Sequence, residues 1–246
     1  MDVHIGHNIS LSMSEKATVV ISSYSERRMR NIQPLVRSVL KCDFVEKVIV
    51  SNHNPQSQIE DFVKVDDSRV MLVNQPVRRS PGYRWIIASK EPAYYFIIID
   101  DDVLISPKQL AVLFQRLVEQ PEVPHGLAGC CPDGTYVTRQ EREVAGLYNI
   151  YAVTRAHVQT YLEYTAEITT HGYASQESIE YWGDDIIISR TGRSRPRIHE
   201  AGFVLFCKTH DMSGVALWKE KQFEQRRREL RRILEKPGLN KRNAVE

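Results

Sequence analysis

The chain of 246 residues has four cysteines, Cys42, Cys130, Cys131 and Cys207, and none forms a C-x-x-C pair. Adjacent Cys130-Cys131 is unlike a zinc knuckle, and four scattered thiols do not make a disulfide scaffold, so reduced cysteines in a cytosolic protein are the simplest expectation. Long apolar runs are missing as well. The longest, 94–99 and 202–207, fall far short of the ~20 residues needed to cross a bilayer. The opening Met-Asp-Val-His-Ile-Gly-His-Asn has no basic n-region and no apolar h-region, so no secretory signal is expected. Neither repeats nor low-complexity linkers occur, and 12 glycines leave no room for a collagen-like or linker-rich chain. A net charge of +2 identifies no partner by itself.

What is present is ordinary globular composition, 42% hydrophobic and 26% charged, long enough to bury one sizeable core. Residues 1–15 are polar and unpatterned and read as a flexible N-terminus. Then strands and helices alternate. Residues 17–24 form a β-branched run suited to a strand buried on both faces. Ile32, Leu35, Val36, Val39 and Leu40 keep helical spacing. Strands follow at 45–50, 70–73 and 94–99, with a short helix at 81–89. Ser106-Pro107 opens a helix to about Val118, Ser as N-cap and Pro in the first turn. Later, 148–154 and 202–208 read as strands, and 157–164, 183–189 and 218–235 as helices, the last stopped by Pro237-Gly238. This rhythm predicts an α/β fold with a mostly parallel central sheet flanked by helices. Ligands of such sheets bind beyond the carboxyl ends of strands, so the loops after Tyr24, Val50 and Ile99 should share one edge.

Three carboxylates, Asp100, Asp101 and Asp102, directly follow the apolar 94–99 strand. Their mutual repulsion calls for a cation or hydrogen-bond donors. A hard dication bound to carboxylates and a diphosphate satisfies that need. On an extended chain Asp100 and Asp102 would share a face and Asp101 would point elsewhere. The plainer alternative is a solvated turn capping the next helix.

Four blocks then acquire a joint meaning: Val19-Ile-Ser-Ser-Tyr-Ser-Glu-Arg-Arg28, Val45-Glu-Lys-Val-Ile-Val-Ser-Asn-His-Asn54, Ile99-Asp-Asp-Asp-Val-Leu-Ile-Ser106 and Gly183-Asp-Asp-Ile-Ile-Ile-Ser189. In this order, over roughly residues 16–212, the sequence resembles GT-A fold (Rossmann-like) glycosyltransferases, closest in flavour to the exostosin-like enzymes that use UDP-sugars. The resemblance implies a metal-dependent transfer of a sugar from a nucleotide-diphosphate donor to a hydroxyl of a glycan or lipid-linked acceptor. It implies that Ser22, Ser23, Tyr24 and Arg28 contact the nucleotide, that Asn52 contacts the base, and that Arg84, or Arg78 or Arg79, meets the donor. Asp102, with Asp100, would bind Mn2+ or Mg2+, and Asp100 and Asp101 would also face the donor. Late His210 would be a further metal ligand. Asp185 would stand at the reacting centre, as general base for the acceptor if the enzyme inverts, or orienting it if the enzyme retains. Asp184 would stand beside it, or serve merely as a helix N-cap. Tyr173, Tyr181 and Trp182 would flank the acceptor. The stretch from Gly126 to Thr154 matches nothing in the family, and the absence of paired cysteines departs from exostosin-like domains.

The composition divides at about residue 215. Residues 16–214 form the expected catalytic domain, and 215–246 a basic helix and tail with ten Lys/Arg against five Glu. Phe223, Leu230 and Leu234 share a helical stripe, so the tail packs on the domain with a solvated charged face. Its sharper use is peripheral contact with an anionic membrane carrying the acceptor; nucleic acid is not expected. Two other functions compete. A sugar-phosphate nucleotidyltransferase would carry a Gly-rich basic loop after the first strand, where this chain has Ser-Ser-Tyr-Ser-Glu-Arg-Arg. A non-catalytic module would use only the basic tail.

Overall fold

The computed structural model describes residues 15–236 and 239. The expected flexible N-terminus thus lies outside the described residues except Glu15, as do Pro237, Gly238 and the last seven positions. The β-branched run becomes β1 (Ala17–Ser23). A short α1 (Glu26–Met29) and then α2 (Ile32–Val39) follow it. β2 (Val45–Asn52), β3 (Val70–Asn74), α3 (Tyr83–Lys90) and β4 (Tyr95–Asp100) complete the regular half. β5 (Val103–Leu104) leads into α4 (Pro107–Glu119). Ser106 caps α4 as its sequence predicts, accepting from Gln109 N, while the Gln109 side chain returns to the Ser106 N–H.

The unassigned stretch 126–154 is a set of short strands: β6 (His125–Gly126), β7 (Ala128–Cys130), β8 (Tyr136–Thr138), β9 (Arg142–Glu143), β10 (Gly146–Leu147) and β11 (Ile150–Thr154). Next come α5 (Arg155–Thr170), α6 (Gln176–Trp182) and α7 (Asp184–Ile188). β12 (Arg197–Ile198), β13 (Leu205–Phe206) and α8 (Phe223–Leu234) close the chain. The 202–208 strand shrinks to two residues because Gly202 turns there with φ +89° and the Phe203 and Leu205 side chains stay exposed, with no layer to bury them.

The main sheet has the order β3-β2-β1-β4-β11-β6-β12-β9. β3, β2, β1 and β4 are mutually parallel, and only β11 and β9 run against the rest. Both faces of its centre are covered. Val19 and Ile21 of β1, with Ile97 and Ile99 of β4, pack into one core beneath α2 and α4. Val20, Phe96 and Ile98 point into the other, beneath α3, α5, α7 and α8. That is why these strands read as unbroken apolar runs. The chain winds outward through β1, β2 and β3 and then returns to place β4 on β1's other side. The switch point of the sheet is therefore the gap between β1 and β4, where Ser22 lies opposite Asp100. A crevice outside the carboxyl ends at such a point is where doubly wound sheets bind ligands.

Candidate active site at the sheet switch point

A cavity of about 660 Å3 opens there. Its walls include the β1–α1 loop, the acidic triplet and the start of α7, so the loops after β1, β2 and β4 do meet at one edge. β4 ends at Asp100 and the chain turns through Asp101 and Asp102, so the extended alternation stops one residue early. The expected pairing of Asp100 with Asp102 on one face is thereby corrected. Asp100 continues the Phe96–Ile98 face and meets Arg84 of α3. Asp101 and Asp102 turn together toward α1, where Arg28 lies 3.2 Å from Asp101 and 2.9 Å from Asp102. The triplet caps no helix.

Each carboxylate has been given donors. Asp101 accepts from Ser23 Oγ at 2.5 Å, and its backbone carbonyl accepts from Asn31 at 2.9 Å. Asp100 accepts from Asn149 Nδ2 at 3.1 Å, and its own N–H donates to the Asn149 carbonyl at 2.8 Å. Asn149 holds a left-handed backbone, φ 65°, to do so, a conformation asparagine tolerates better than most residues. Burial pushes Asp100 and Asp101 above the usual carboxylate range, and Arg84 and Arg28 pull each back. Asp102 sits differently. Its Oδ2 lies 3.1 Å from His210 Nδ1, while its buried Oδ1 has no partner. His210 arrives because β13 pairs antiparallel with β5 and Cys207 N–H donates to the Asp102 carbonyl at 2.7 Å.

The second acidic block supplies the opposite wall. Gly183, not Asp184, is the N-cap of α7, so the capping reading of Asp184 is overturned. Asp184 instead accepts from Arg84 Nε at 2.8 Å and Trp85 Nε1 at 2.9 Å, which makes buried Arg84 a bridge between the two acidic blocks. Burial alone would lower the Arg84 guanidinium, but Asp184 and then Asp100 outweigh it and hold it charged. Asp185 is gripped by Arg227 of α8, Nη1 to Oδ1 at 2.6 Å and Nη2 to Oδ2 at 2.7 Å. The tail helix packs through Leu230 and Leu234 and keeps Glu224, Arg226, Arg228 and Arg232 exposed as expected, but Arg227 departs from that charged face and is buried. Close approach permits it, since a Cβ on Gly183 would stand 2.1 Å from Leu230 Cδ2.

Ser22, Tyr24, Arg79, Tyr181 and Trp182 also line the cavity, and Ser22 Oγ and Arg79 Nε are buried without partners. Arg78 stacks over Tyr24, 4.8 Å from the ring centre. Two expected residues are elsewhere. Asn52 spends its side chain on Ser57 O at 2.6 Å, Asn74 Oδ1 at 2.9 Å and Asn54 N at 2.8 Å, bracing the β2 turn. Tyr173 lies outside the cavity, with Lys236 3.6 Å over its ring. Sequence reasoning missed His53, Tyr148, Asn149, Tyr151 and Arg227, all in the lining. His53, one residue past β2, was within reach: it is buried, its Nε2 has no partner, and burial with Arg84 nearby pushes it down to about 4.

Among the described residues no three His, Cys, Asp or Glu side chains converge as a ready-made metal site. The orphaned Asp102 oxygen beside His210 fits a cation held by two protein groups and completed by a ligand's oxygens. Arg28 now covers part of that position.

A scan of protein-family models and a search of curated proteins each return no match. Solved structures do match. The chain is similar to S. aureus TarS 1–349, TM-score 0.51 at 12% identity, over 79% of this chain and 61% of that one. It is similar to the same TarS segment in complex with UDP, TM-score 0.51 at 14% identity, over 77% and 59%. A weaker likeness, TM-score 0.48 at 12% identity over 68% and 87%, is to the 4-diphosphocytidyl-2C-methyl-D-erythritol synthase of Anaerococcus prevotii. This chain thus spans less than two thirds of the TarS chain. TarS is a GT-A glycosyltransferase, and the likeness shows a GT-A-like fold.

Proposed function

We infer that this protein is a glycosyltransferase that moves a sugar from a nucleotide diphosphate, UDP for preference, to an acceptor hydroxyl. The observation that carries the reading is the convergence of both acidic blocks on one cavity at the sheet switch point, joined by buried Arg84. A volume of about 660 Å3 suits a ligand of nucleotide-sugar size. TarS, of the same fold, has been seen with UDP, which supports the choice of base. No glycine occurs in the β1–α1 loop, which counts against a nucleotidyltransferase.

In this reading Tyr24 and Ser22 receive the nucleoside, and Arg79, with a guanidinium nitrogen still unpaired, receives donor oxygens. Asp102 and His210 would hold Mn2+ or Mg2+, which when bound offsets the negative charge growing on the departing diphosphate. Arg84 fixes Asp100 and Asp184 so that neither swings into the donor. Transfer forms a bond from the acceptor oxygen to the anomeric carbon as the bond from that carbon to the diphosphate oxygen breaks, its electron pair leaving with the nucleotide. The hydroxyl proton passes to an oxygen at the centre, that of Asp185 or of the departing diphosphate. Arg227 holds Asp185 in place, and each carboxylate oxygen keeps a lone pair free for the acceptor.

A melting panel of UDP-, GDP- and dTDP-sugars with and without Mn2+ tests this. A UDP-sugar at about 100 Kd should stabilise by ~2.7 kcal/mol, raising Tm by about 5–10 °C, and only with the metal. A flat response to every sugar nucleotide overturns the reading. Turnover of a nucleoside triphosphate with release of pyrophosphate would replace it with nucleotidyl transfer.

A further inference from the structure

Past Tyr148 the active-site cavity continues into a second one of about 880 Å3. Tyr148, Asp185, Glu224 and Arg227 line both. Two elements face each other across it. α8 presents Arg227, Arg228 and Arg231 within one turn, on one side of the helix. The loop after α7 presents Arg190, Arg193 and Arg195.

Little of this charge is spent within the protein. Arg227 is tied to Asp185. Among the described residues the other five guanidiniums make no ion pair. Burial lowers Arg190, Glu235 pulls it back in part, and Arg231 repels it. Besides Asp185, the carboxylates of the lining are Asp133, Glu224 and Glu235, which leave the positive charge of the five other guanidiniums in excess. Unpaired guanidiniums gathered in a crevice focus a positive potential there, and their planar forks match carboxylate and phosphate oxygens. Spread over such a volume on two walls, they match several anionic groups rather than one.

We propose that this second cavity is the acceptor groove and that the acceptor is a polyanionic chain of sugars or polyols. Arg190, Arg193, Arg195, Arg228 and Arg231 hold its repeating carboxylate or phosphodiester groups, and its terminal hydroxyl reaches Asp185 past the Tyr148 ring. This rests on the transferase reading above, and Arg227 stays on Asp185 while the five free guanidiniums select the chain.

The test is fluorescence anisotropy on the full chain with labelled hexagalacturonate and a labelled glycerol-phosphate hexamer, which separate carboxylate from phosphodiester, and with maltohexaose as neutral control. At least one anionic chain should bind at least tenfold tighter than maltohexaose and weaken with salt. Replacing Arg193, Arg195, Arg228 and Arg231 with Ser should cost at least tenfold in that binding, with the UDP–Mn2+ melting shift unchanged. The two double variants, R193S/R195S and R228S/R231S, should each lose part of it. Equal binding of maltohexaose, equal competition by an oligonucleotide of matched charge, or unchanged binding by the quadruple variant overturns the groove. Absent anionic binding with the UDP shift intact overturns the groove alone. Anionic binding without any UDP shift overturns the transferase reading and the acceptor assignment with it.

Discussion

Asp185 and Asp102 are both aspartates at the mouth of one cavity, yet their surroundings prepare them for different work. Asp185 has both oxygens on a guanidinium, whereas Asp102 keeps one buried oxygen free. Asp185→Asn should therefore leave the UDP–Mn2+ melting shift intact and lower sugar transfer by ~10²–10⁴, the range expected when a positioned proton acceptor is lost; undiminished transfer would make it a structural partner of Arg227. Asp102→Ala should abolish the Mn2+-dependent part of that shift, and titration with Mn2+ in a melting assay reads it directly. Arg84 belongs to the buried framework. Arg84→Met would leave Asp100 and Asp184 facing each other without their shared cation, a loss of about 3–5 kcal/mol that a urea midpoint would register. The acidic blocks were legible because carboxylates after an apolar strand are conspicuous. Their partners were not: Arg28 and Arg84 read as donor contacts and Arg227 as a solvated charge, and only folding sets all three on the carboxylates.

Helix α8 carries the same lesson at the scale of an element. Its Leu230–Leu234 stripe follows from helical spacing, and both residues are buried as that spacing implies. Nothing in the spacing places Arg227 on Asp185. That contact depends on Gly183, whose missing side chain lets α8 settle against the start of α7. Gly183→Ala should push α8 outward at a cost of about 1–3 kcal/mol, with transfer falling more than donor binding. Kinetics and UDP melting shifts on one preparation would show the split. The α4 cap, by contrast, was written locally in Ser106-Pro107, and the reciprocal Gln109 bond completes it. The short strands from β6 to β10 had no such local signature: runs of two or three residues are too brief for a period to show.

For the whole molecule, the switch point between β1 and β4 decides where chemistry can occur, while buried histidines decide how the fold responds to acid. His125 lies between β11 and β12, bonded to His199 at 2.8 Å and to the Gln120 carbonyl at 2.9 Å, with His157 and Arg197 also repelling its charged form. Burial pushes it down to about 4. A depressed histidine is neutral when folded and charged when unfolded, so its contribution is present above the unfolded value near 6.5 and lost as pH falls toward 4. Stability should fall through that window, by on the order of 2 kcal/mol at pH 5 for this ring, and melting curves should show the Tm dropping with it. His125→Gln should flatten the slope, whatever its effect at neutral pH.

The sequence by itself settled the α/β alternation, the parallel strands buried on both faces and the acidic triplet at a strand end. Each is a local matter of period, propensity or neighbouring charge, and so survives in one dimension. The tertiary structure alone decided that Asp101 turns with Asp102 toward Arg28, that Asn52 braces a turn, and that α8 closes over Asp185 beside an arginine-lined cavity. Those outcomes rest on where a chain bends and how closely two backbones can approach, which depends on residues tens of positions apart.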